Sequence, residues 1–372
     1  MPPQQNNFFS QVISEPVVML HVFGNPANEF VKNMGIMHAR NQAKAGYEAP
    51  VPLIHKYALV HPGGLWTFHD DLSDMSLAKG PKLDLTQAIV KIKELQVMVA
   101  EVHVHTTVRN YKTLFELLEI PIIGTGAEAS ANVADKATTR GLLLQAGVKV
   151  PKGTILHQSA FLSSDFSTEA LLESHELQYP LVVKPSRMEA SRGVSLVHDK
   201  AQMMSALQTA FSYGDTVIID TFIPGREIRG GLLCRKEGIL ERLPLMEYRM
   251  EPHEIRGLDR KVEKDGKAMV SHSFQYIHPE DDPILHERMH QVFCKAHTAL
   301  GCRDFSFTDC RVTEDGEIFV LEMNVFAAFN PGSVMTKLTE AAGISHNQFW
   351  GSMVTKVLDR RRDVSIHCTT GA

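Results

Sequence analysis

The stretch FSFTDCRVTEDGEIFVLEMN, residues 305–324, contains two runs of alternating polar and apolar residues around Asp315-Gly316. An Asp-Gly pair between two such runs is the strongest short-range signal for a β-hairpin. If Asp315 and Gly316 form the loop, Asp309 lies directly opposite Glu322 in the paired strands. The sequence therefore predicts that one face of this hairpin brings two carboxylates together.

Like charges directly opposite each other destabilise a sheet, so the repulsion between Asp309 and Glu322 needs a counter-charge. Asn324, opposite Phe307, adds a carboxamide to the same face. Oxygen ligands of this kind favour Mg²⁺, and a bound divalent cation is our hypothesis; a solvated acidic face is the alternative. The other face is expected to point into the core through Thr308, Cys310, Val312, Phe319, Leu321 and Met323.

Two lysines in the middle of the chain suit the binding of phosphate groups. Lys184 ends the apolar strand LVVK and is followed by the small-residue loop SRMEASRG, residues 186–193. Backbone N–H groups of such a loop can point at phosphate oxygens, with Ser191 and Gly193 allowing close approach. Lys136 lies in the first turn of a predicted helix. Lysines combined with Mg²⁺ neutralise the charge that phosphoryl transfer develops.

Strands alternate with helices in the first part of the chain, which indicates an α/β unit with a parallel sheet. Its first strand is the apolar run 17–23. The later part is predicted to be α+β, because the predicted strands 181–184 and 194–197 are expected to form a hairpin instead of a βαβ unit. A single long helix is expected over 132–146.

Composition narrows the class of protein. The 372 residues carry a net charge of only -5, without the basic excess of a nucleic-acid-binding protein. No apolar run reaches membrane-spanning length, and the N-terminus lacks a signal-peptide pattern, so a cytoplasmic location is expected. The five scattered cysteines do not suggest a disulfide framework.

His103 and His105 would share one face of a strand. Zinc would require further ligands, and the neighbouring residues in the sequence supply no obvious ones. We therefore interpret this pair as a polar strand end that faces a cleft.

The chain resembles the ATP-grasp superfamily, in particular D-alanine–D-alanine ligase and its relatives. The matching segments, in family order, are ADKATTRGLLLQAGVKVP, PLVVKPSRMEASRGVSLV, VIIDTFIPGREIRGGLL, ALGCRDFSFTDCRVTEDGEIFVLEMN and AAGISHNQFW. This resemblance implies an ATP-grasp fold with an N-terminal parallel-sheet domain. The expected divisions are an N-terminal α/β domain 1–125, a central subdomain 126–212, a C-terminal subdomain 213–360 and a tail 361–372.

The resemblance also implies roles for individual residues. ATP phosphates would contact Lys136 and Lys184, with the loop that holds Ser191 and Gly193 closing over them. The adenine would lie along Asp220, Phe222 and Ile223, and Glu227 would hold the ribose. The ligands of Mg²⁺, or of Mn²⁺, would be Asp309, Glu322 and Asn324. The charged segment 249–272 resembles a closing loop, in which Arg256, Arg260 and Lys261 could reach the phosphates.

The implied chemistry begins when a carboxylate attacks the γ-phosphate to give an acyl phosphate and ADP; an amine then displaces phosphate. D-alanine ligases carry an arginine two residues before the first metal aspartate, and here that position is Phe307. The tetrahedral intermediate still needs an electrostatic donor. We expect Arg311 or Arg229 to supply it, with Lys184 as the other catalytic residue.

The substrate prediction rests on finer similarity. The segments LPLMEY, GREIRGG and FNPGSV resemble the mycosporine-glycine–amino acid ligases, which predicts a mycosporine-glycine-like carboxylate and a free amino acid as the small-molecule partners. A D-Ala–D-Ala or other dipeptide ligase is the alternative, and a catalytically silent nucleotide-binding scaffold is the alternative of another class. A homodimer is left open. The expected substrate contacts are His105, Arg109, Phe326, Asn330 and Ser333, with Phe329 adding aromatic surface.

Overall fold

A computed structural model describes residues 16–24, 29–45, 49, 51–73, 80–103, 108–188, 191–236, 239–251, 253–256, 274–326 and 333–369. The chain forms two compact units. Unit 1 comprises residues 1–123, 328–331 and 345–372, and unit 2 comprises residues 124–327 and 332–344. Among the described helices, none combines the length and the apolar character that crossing a bilayer requires.

Unit 1 contains a four-stranded sheet in the order β3-β2-β1-β4. Its strands are β1 (Val17–Gly24), β2 (Leu53–Val60), β3 (Trp66–His69) and β4 (Val99–His103). The predicted parallel sheet is confirmed, because β1 runs parallel to both β2 and β4. The antiparallel edge strand β3 was not predicted. The helices are α1 (Glu29–Ala45), α2 (Leu85–Glu94), α3 (Val108–Leu117) and α11 (His346–Thr369), of which the last continues into the expected tail.

The two faces of this sheet differ in chemistry. One face is apolar and packs with helix residues into a core formed by Leu20, Val22, Ala58, Val60, Ile92, Ala100, Val102 and Phe115. The other face is buried as well, yet it carries His21, Glu101 and His103. Burial alone would raise the pKa of the Glu101 carboxyl, but His103 and His21 beside it hold that pKa well below its usual range.

The first part of unit 2 is an antiparallel sheet in the order β5-β8-β6-β7. Its strands are β5 (Gly153–His157), β6 (Leu181–Pro185), β7 (Ser195–Val197) and β8 (Thr216–Thr221). The predicted β6–β7 hairpin is confirmed. The helices of this part of the chain are α4 (Ala127–Ala134), α5 (Lys136–Gln145), α6 (Gln158–Phe161), α7 (Thr168–Ser174) and α8 (Lys200–Phe211). The last three pack with this sheet, whereas α4 and α5 contribute Val133 and Leu143 to the core of the other sheet of unit 2. The single helix expected over 132–146 is wrong, since extended backbone at Asp135 ends α4 and begins α5.

The second sheet of unit 2 has the order β12-β11-β9-β13-β14, with β10 added to β9. Its strands are β9 (Arg226–Lys236), β10 (Ile239–Arg242), β11 (Leu245–Tyr248), β12 (Phe274–Ile277), β13 (Phe305–Val312) and β14 (Ile318–Asn324). The remaining helices are α9 (Pro283–Ala299) and α10 (Val334–Ala341). Phe293 and Met289 of α9 enter the apolar core beneath this sheet.

The hairpin of β13 and β14 pairs Asp309 with Glu322 and Phe307 with Asn324, so this predicted register is confirmed. The predicted two-residue loop is wrong. The backbone N–H of Thr313 donates to the carbonyl of Glu317, which leaves three residues in the loop. The third is Gly316 at φ +80°, a conformation that glycine adopts without strain.

A β-bulge after the Asp309–Glu322 pair compensates for the longer loop. Between the bulge and the loop, Cys310 pairs with Val320 and Val312 with Ile318. These four side chains enter the core. Phe319 and Leu321, which were expected in the core, are only partly buried, and Leu321 lines a cleft. The bulge therefore preserves the acidic pair while it reverses the two faces of β14 nearer the turn, and Cys310 and Val312 of β13 stay in the core as predicted.

Gly230 allows α9 to pack closely against β9. A Cβ atom at this position would lie 2.2 Å from Cε2 of Phe293. We expect Gly230→Ala to destabilise the protein by about 1–3 kcal/mol, because the buried ring must shift. Gly141→Ala is the matched control, since Gly141 in α5 has open space around it and alanine favours helix by about 1 kcal/mol. Urea unfolding of both variants checks this, and equal midpoints would contradict it.

Candidate active site

A cleft in unit 2 is lined by residues from both of its sheets. Eleven of the predicted site residues line it: Lys136, Lys184, Ser191, Asp220, Phe222, Ile223, Glu227, Arg256, Asp309, Arg311 and Glu322. Three others lie elsewhere. Arg229 is behind Asp309, and Asn324 pairs with Phe307 near the end of β14. Gly193, at φ +71°, packs so closely against Tyr213 that an added Cβ would lie 2.7 Å from its ring.

Lys136 and Lys184 converge because the start of α5 is bonded to the end of β6. The Asp135 carboxylate caps α5 by accepting from the backbone N–H of Ala137 at 3.1 Å. It also accepts from the hydroxyl of Ser186, two residues beyond Lys184. The backbone N–H of Lys136 donates to the Ser186 carbonyl at 3.0 Å. These bonds hold the first residue of the helix beside the end of the strand.

Asp220 is a buried carboxylate that binds two cations. The Nζ of Lys184 lies 2.9 Å from one oxygen, and Nη1 of Arg140 lies 2.8 Å from the other. Arg140 also donates to the Gly153 carbonyl at 3.3 Å. The sequence analysis missed Arg140, although it lies four residues after Lys136 and thus on the same helix face. Asp220 therefore fixes the position of Lys184 within the cleft.

The opposed acids of the hairpin each have a cationic partner. Arg229 forms a bidentate pair with Asp309, in which Nη2 donates at 2.6 Å. Burial opposes the charge on Arg229, but the Asp309 carboxylate outweighs it and raises the pKa of Arg229. Glu322 lies 3.1 Å from Nζ of Lys136. The repulsion that suggested a cation is thus offset by two side chains, and charge balance alone does not require a metal ion.

Arg311, two residues after Asp309 on β13, lies opposite Glu227 of β9. It contacts Glu227 at 3.1 Å and donates to the carbonyls of Gly225 and Glu254 at 2.9 and 2.6 Å. Burial lowers the pKa of Arg311, although the Glu227 carboxylate acts to raise it. Arg256 lies 3.4 Å from the other oxygen of Glu227. Both arginines therefore hold the Glu227 carboxylate.

The charged side chains among the described residues of this cleft form a network of ion pairs. The lining carboxylates are Asp220, Glu227, Asp309 and Glu322. The cations paired with them are Lys136, Lys184, Arg140, Arg229, Arg256 and Arg311. Four of these cations line the cleft and match the four acids in number, and Arg140 and Arg229 contact Asp220 and Asp309 from outside the lining. The two lysines of the lining can bind a polyanion, and apolar groups such as Val182, Phe222 and Leu321 supply the wall for a flat ring.

Of the predicted substrate contacts, His105, Phe329 and Asn330 lie outside the described residues, as do Arg260 and Lys261, which were expected to reach the phosphates. Arg109 belongs to α3, but its side chain is also outside them. Phe326 follows β14 and is half-buried. Ser333 caps α10, because its hydroxyl accepts from the backbone N–H of Thr336 at 3.4 Å. Ser333 therefore has a structural role here.

Comparisons with known proteins agree on one family. Residues 142–355 match the family described as "D-ala D-ala ligase C-terminus". A D-alanine–D-alanine ligase of Citrifermentans bemidjiense is 33% identical over 248 residues, which are 66% of this chain and 72% of that protein. The structure of the D-alanine–D-alanine ligase from Coxiella burnetii superimposes with a TM-score of 0.71 at 19% identity, over 95% of this chain and 98% of that one.

A second solved structure extends this likeness to a nucleotide complex. The D-alanine–D-alanine ligase of Bacillus anthracis complexed with ATP has a TM-score of 0.66 at 21% identity, over 93% of this chain and 99% of that one. At these identities the structural matches establish the shared fold. The predicted ATP-grasp fold class is therefore confirmed.

The helix cap at Asp135 should make stability depend on pH. Burial alone would raise the pKa of Asp135, but hydrogen bonds from Ser186 and Arg187 hold it below its ordinary 3.8. A depressed pKa stabilises the fold above the unfolded-state value, and this contribution is lost as pH falls through the folded-state value. We expect Asp135→Asn to cost about 1–2 kcal/mol near neutral pH and progressively less below pH ~4.

The matched control is Asp199→Asn, which alters a cap of α8 outside the cleft. Urea unfolding across pH checks the prediction. A stability difference between the wild type and Asp135→Asn that does not shrink in acid would contradict it.

Proposed function

The chain belongs to the D-ala D-ala ligase C-terminus family, and from this premise we propose that it is an ATP-dependent, ADP-forming ligase that joins a carboxylate to an amine. The observation that carries the proposal is the cleft that Lys136 and Lys184 line together with the carboxylates of Asp309 and Glu322. A reaction that transfers a phosphoryl group needs such cations at one point. The relatives' names supply the reaction class.

ATP fits the distribution of polar and apolar groups in the cleft. The apolar wall near Phe222 and Ile223 suits the adenine, and Glu227 lies where it can accept hydrogen bonds from ribose hydroxyls. Lys136 and Lys184 suit the phosphates. Both lysines are paired with carboxylates in the free protein, so each would exchange a carboxylate oxygen for a phosphate oxygen when the nucleotide binds.

The donor set also fits Mg²⁺, since it consists of two carboxylates and a nearby carboxamide. Asp309, Glu322 and Asn324 would hold the ion, which supplies neutralisation of phosphate charge when bound. Glu322 is released for this role as Lys136 turns toward the phosphates. Asp309 is held in place by Arg229 throughout.

The proposed reaction has two steps. An oxygen of the substrate carboxylate bonds to the γ-phosphorus while the bond to the β-phosphate oxygen breaks, giving an acyl phosphate and ADP. The nitrogen of the amine then attacks the acyl carbon, loses a proton, and inorganic phosphate leaves. Lys136 and Lys184 orient the transferred group, and exclusion of water protects the acyl phosphate from hydrolysis.

Arg229 is the arginine that we propose for stabilising the developing oxyanion. Its guanidinium lies 5.2 Å from the ring of Phe307, the residue that stands where D-alanine ligases carry arginine. The charge is thus supplied from the neighbouring strand β9. Arg311 is less suited to this role because it pairs at 3.1 Å with Glu227, the proposed ribose contact. We assign it to positioning Glu227.

For the substrates we propose amino acids of the kind that a D-alanine–D-alanine ligase joins. The relatives are named D-alanine–D-alanine ligases, and this name supports the D-Ala–D-Ala or other dipeptide ligase that the sequence analysis gave as the alternative. The resemblance to mycosporine-glycine ligases is not shown by the comparisons. A catalytically silent scaffold is also disfavoured, because the relatives are named as enzymes.

Glu322→Gln tests the metal ligand while it preserves the shape of the side chain. We expect kcat for amine-dependent ADP release from ATP and D-alanine to fall at least about 100-fold, because phosphate charge is no longer neutralised. Glu317→Gln is the matched control, since Glu317 pairs with the surface Lys149 in the same hairpin. Near wild-type turnover in Glu322→Gln would contradict the assignment. Asp309→Ala is less informative, because it leaves Arg229 buried without a counter-charge, which would lower the free energy of unfolding by about 3–5 kcal/mol.

Arg229→Met leaves the buried Asp309 carboxylate without its partner, at a cost of about 3–5 kcal/mol, so urea unfolding must first show that the variant is folded. In the folded variant kcat should fall about 100- to 1000-fold while the KM for ATP stays nearly unchanged, since the oxyanion develops only during reaction. Combining it with Phe307→Arg restores an arginine at the position used by D-alanine ligases. We expect this pair to recover at least about tenfold in kcat. Steady-state assays of the folded variants check both the loss and the recovery of kcat. An Arg229→Met enzyme with wild-type kcat would contradict the role of Arg229 in stabilising the oxyanion.

A further inference from the structure

The buried polar face of the unit 1 sheet gathers potential metal ligands from two strands. Parallel pairing places Glu101 of β4 directly opposite His21 of β1, and His103 opposite Phe23. The side chains of Glu101 and His103, two residues apart, project to the same face. Nδ1 of His21 lies 2.7 Å from one Glu101 oxygen, and Nε2 of His103 lies 3.0 Å from the other.

These side chains are deeply buried, with 1%, 2% and 1% of His21, Glu101 and His103 exposed. Burying ionisable groups is costly unless they are paired or coordinate a metal. One ligand atom from each of the three lies within 4.8 Å of the others. The cluster lies in regular strands, so its geometry is set by the backbone register.

We propose that His21, Glu101 and His103 form a binding site for a zinc-like divalent cation. Two imidazole nitrogens and a carboxylate oxygen are a donor set that zinc takes with bonds of about 2.0–2.2 Å. Tetrahedral coordination at that distance separates ligand atoms by roughly 3.3 Å. The 2.7 and 3.0 Å contacts are made to different oxygens of Glu101, so zinc would draw one of these oxygens and both imidazole nitrogens together from a spread of at most 4.8 Å. The ion would take the place of the protons that bridge these atoms.

His55 of β2 acts as a positioning residue for this site. Its Nδ1 lies 2.9 Å from Nε2 of His21, the nitrogen that does not face Glu101. Metal-bound histidines commonly use the second ring nitrogen in such a hydrogen bond, which fixes the ring's orientation. Tyr57 stacks on the same imidazole at a centroid distance of 5.1 Å. The His21 ring is therefore held with its Nδ1 directed at the cluster.

The sequence pair His103 and His105 suggested no zinc site because neighbouring residues offered no obvious further ligands. Glu101 lies two residues before His103 on the same strand. Folding then brings His21, which is 80 residues from Glu101 in the sequence, beside both of them. A three-ligand site leaves a coordination position for water or another ligand. Such an ion would link β1 to β4. Its ligands are not the residues proposed to hold Mg²⁺ in the ligase reaction.

The test uses the full chain, purified without a histidine tag, stripped with a chelator and dialysed against zinc in excess Mg²⁺. Elemental analysis should find one zinc ion per chain, and zinc should raise the melting temperature. Glu101→Gln keeps the shape of the side chain and should weaken zinc binding at least about 100-fold. His198→Ala, at an exposed position, is the matched control and should bind as the wild type does.

Cobalt provides a second readout, because Co²⁺ bound by these ligands would give visible absorption bands that Glu101→Gln lacks. Wild-type protein that holds no stoichiometric zinc under these conditions would overturn the proposal, whatever the stability of the variants. Equal zinc affinity in the wild type and folded Glu101→Gln would overturn it as well.

Discussion

The pairing of Arg229 with Asp309 is the interaction on which the cleft of unit 2 depends. Asp309 lies between two strands, opposite Arg229 of β9 on one side and Glu322 of β14 on the other. A carboxylate that is 5% exposed in the middle of a sheet would be strongly destabilising without a counter-charge. The bidentate guanidinium supplies that charge at a fixed geometry. The second carboxylate, Glu322, can then be placed beside it.

The same rule of paired charges extends through the cleft. Lys184 and Arg140 share Asp220, while Arg256 and Arg311 share Glu227. The free protein is thus a network of ion pairs whose lysines already point into the cleft. Binding of a nucleotide with Mg²⁺ would exchange partners without leaving a buried charge alone. Phosphates would replace carboxylates at the lysines, and the metal ion would replace Lys136 at Glu322.

Local sequence patterns predicted much of this arrangement. The Asp-Gly turn and the alternation around it located Asp309 opposite Glu322, because both signals act within a few residues. The bulge that keeps this pair in register was not predicted, since it depends on the fit between a three-residue loop and the core beneath. The role of Asp135 was missed for a related reason: a cap that also binds Ser186 is visible only once the helix and the strand are adjacent.

The sequence did not predict contacts between residues that are far apart in the chain. Nothing near Glu101 in the chain indicates that His21 lies beside it, because parallel strands are joined through long connections.

The central claim, that the cleft activates a carboxylate by phosphorylating it, is tested most directly with ¹⁸O. D-alanine labelled in its carboxylate is incubated with ATP and the enzyme, and the released inorganic phosphate is analysed by mass spectrometry. An acyl phosphate predicts transfer of one ¹⁸O atom into phosphate with each turnover, whereas unlabelled phosphate would contradict the account.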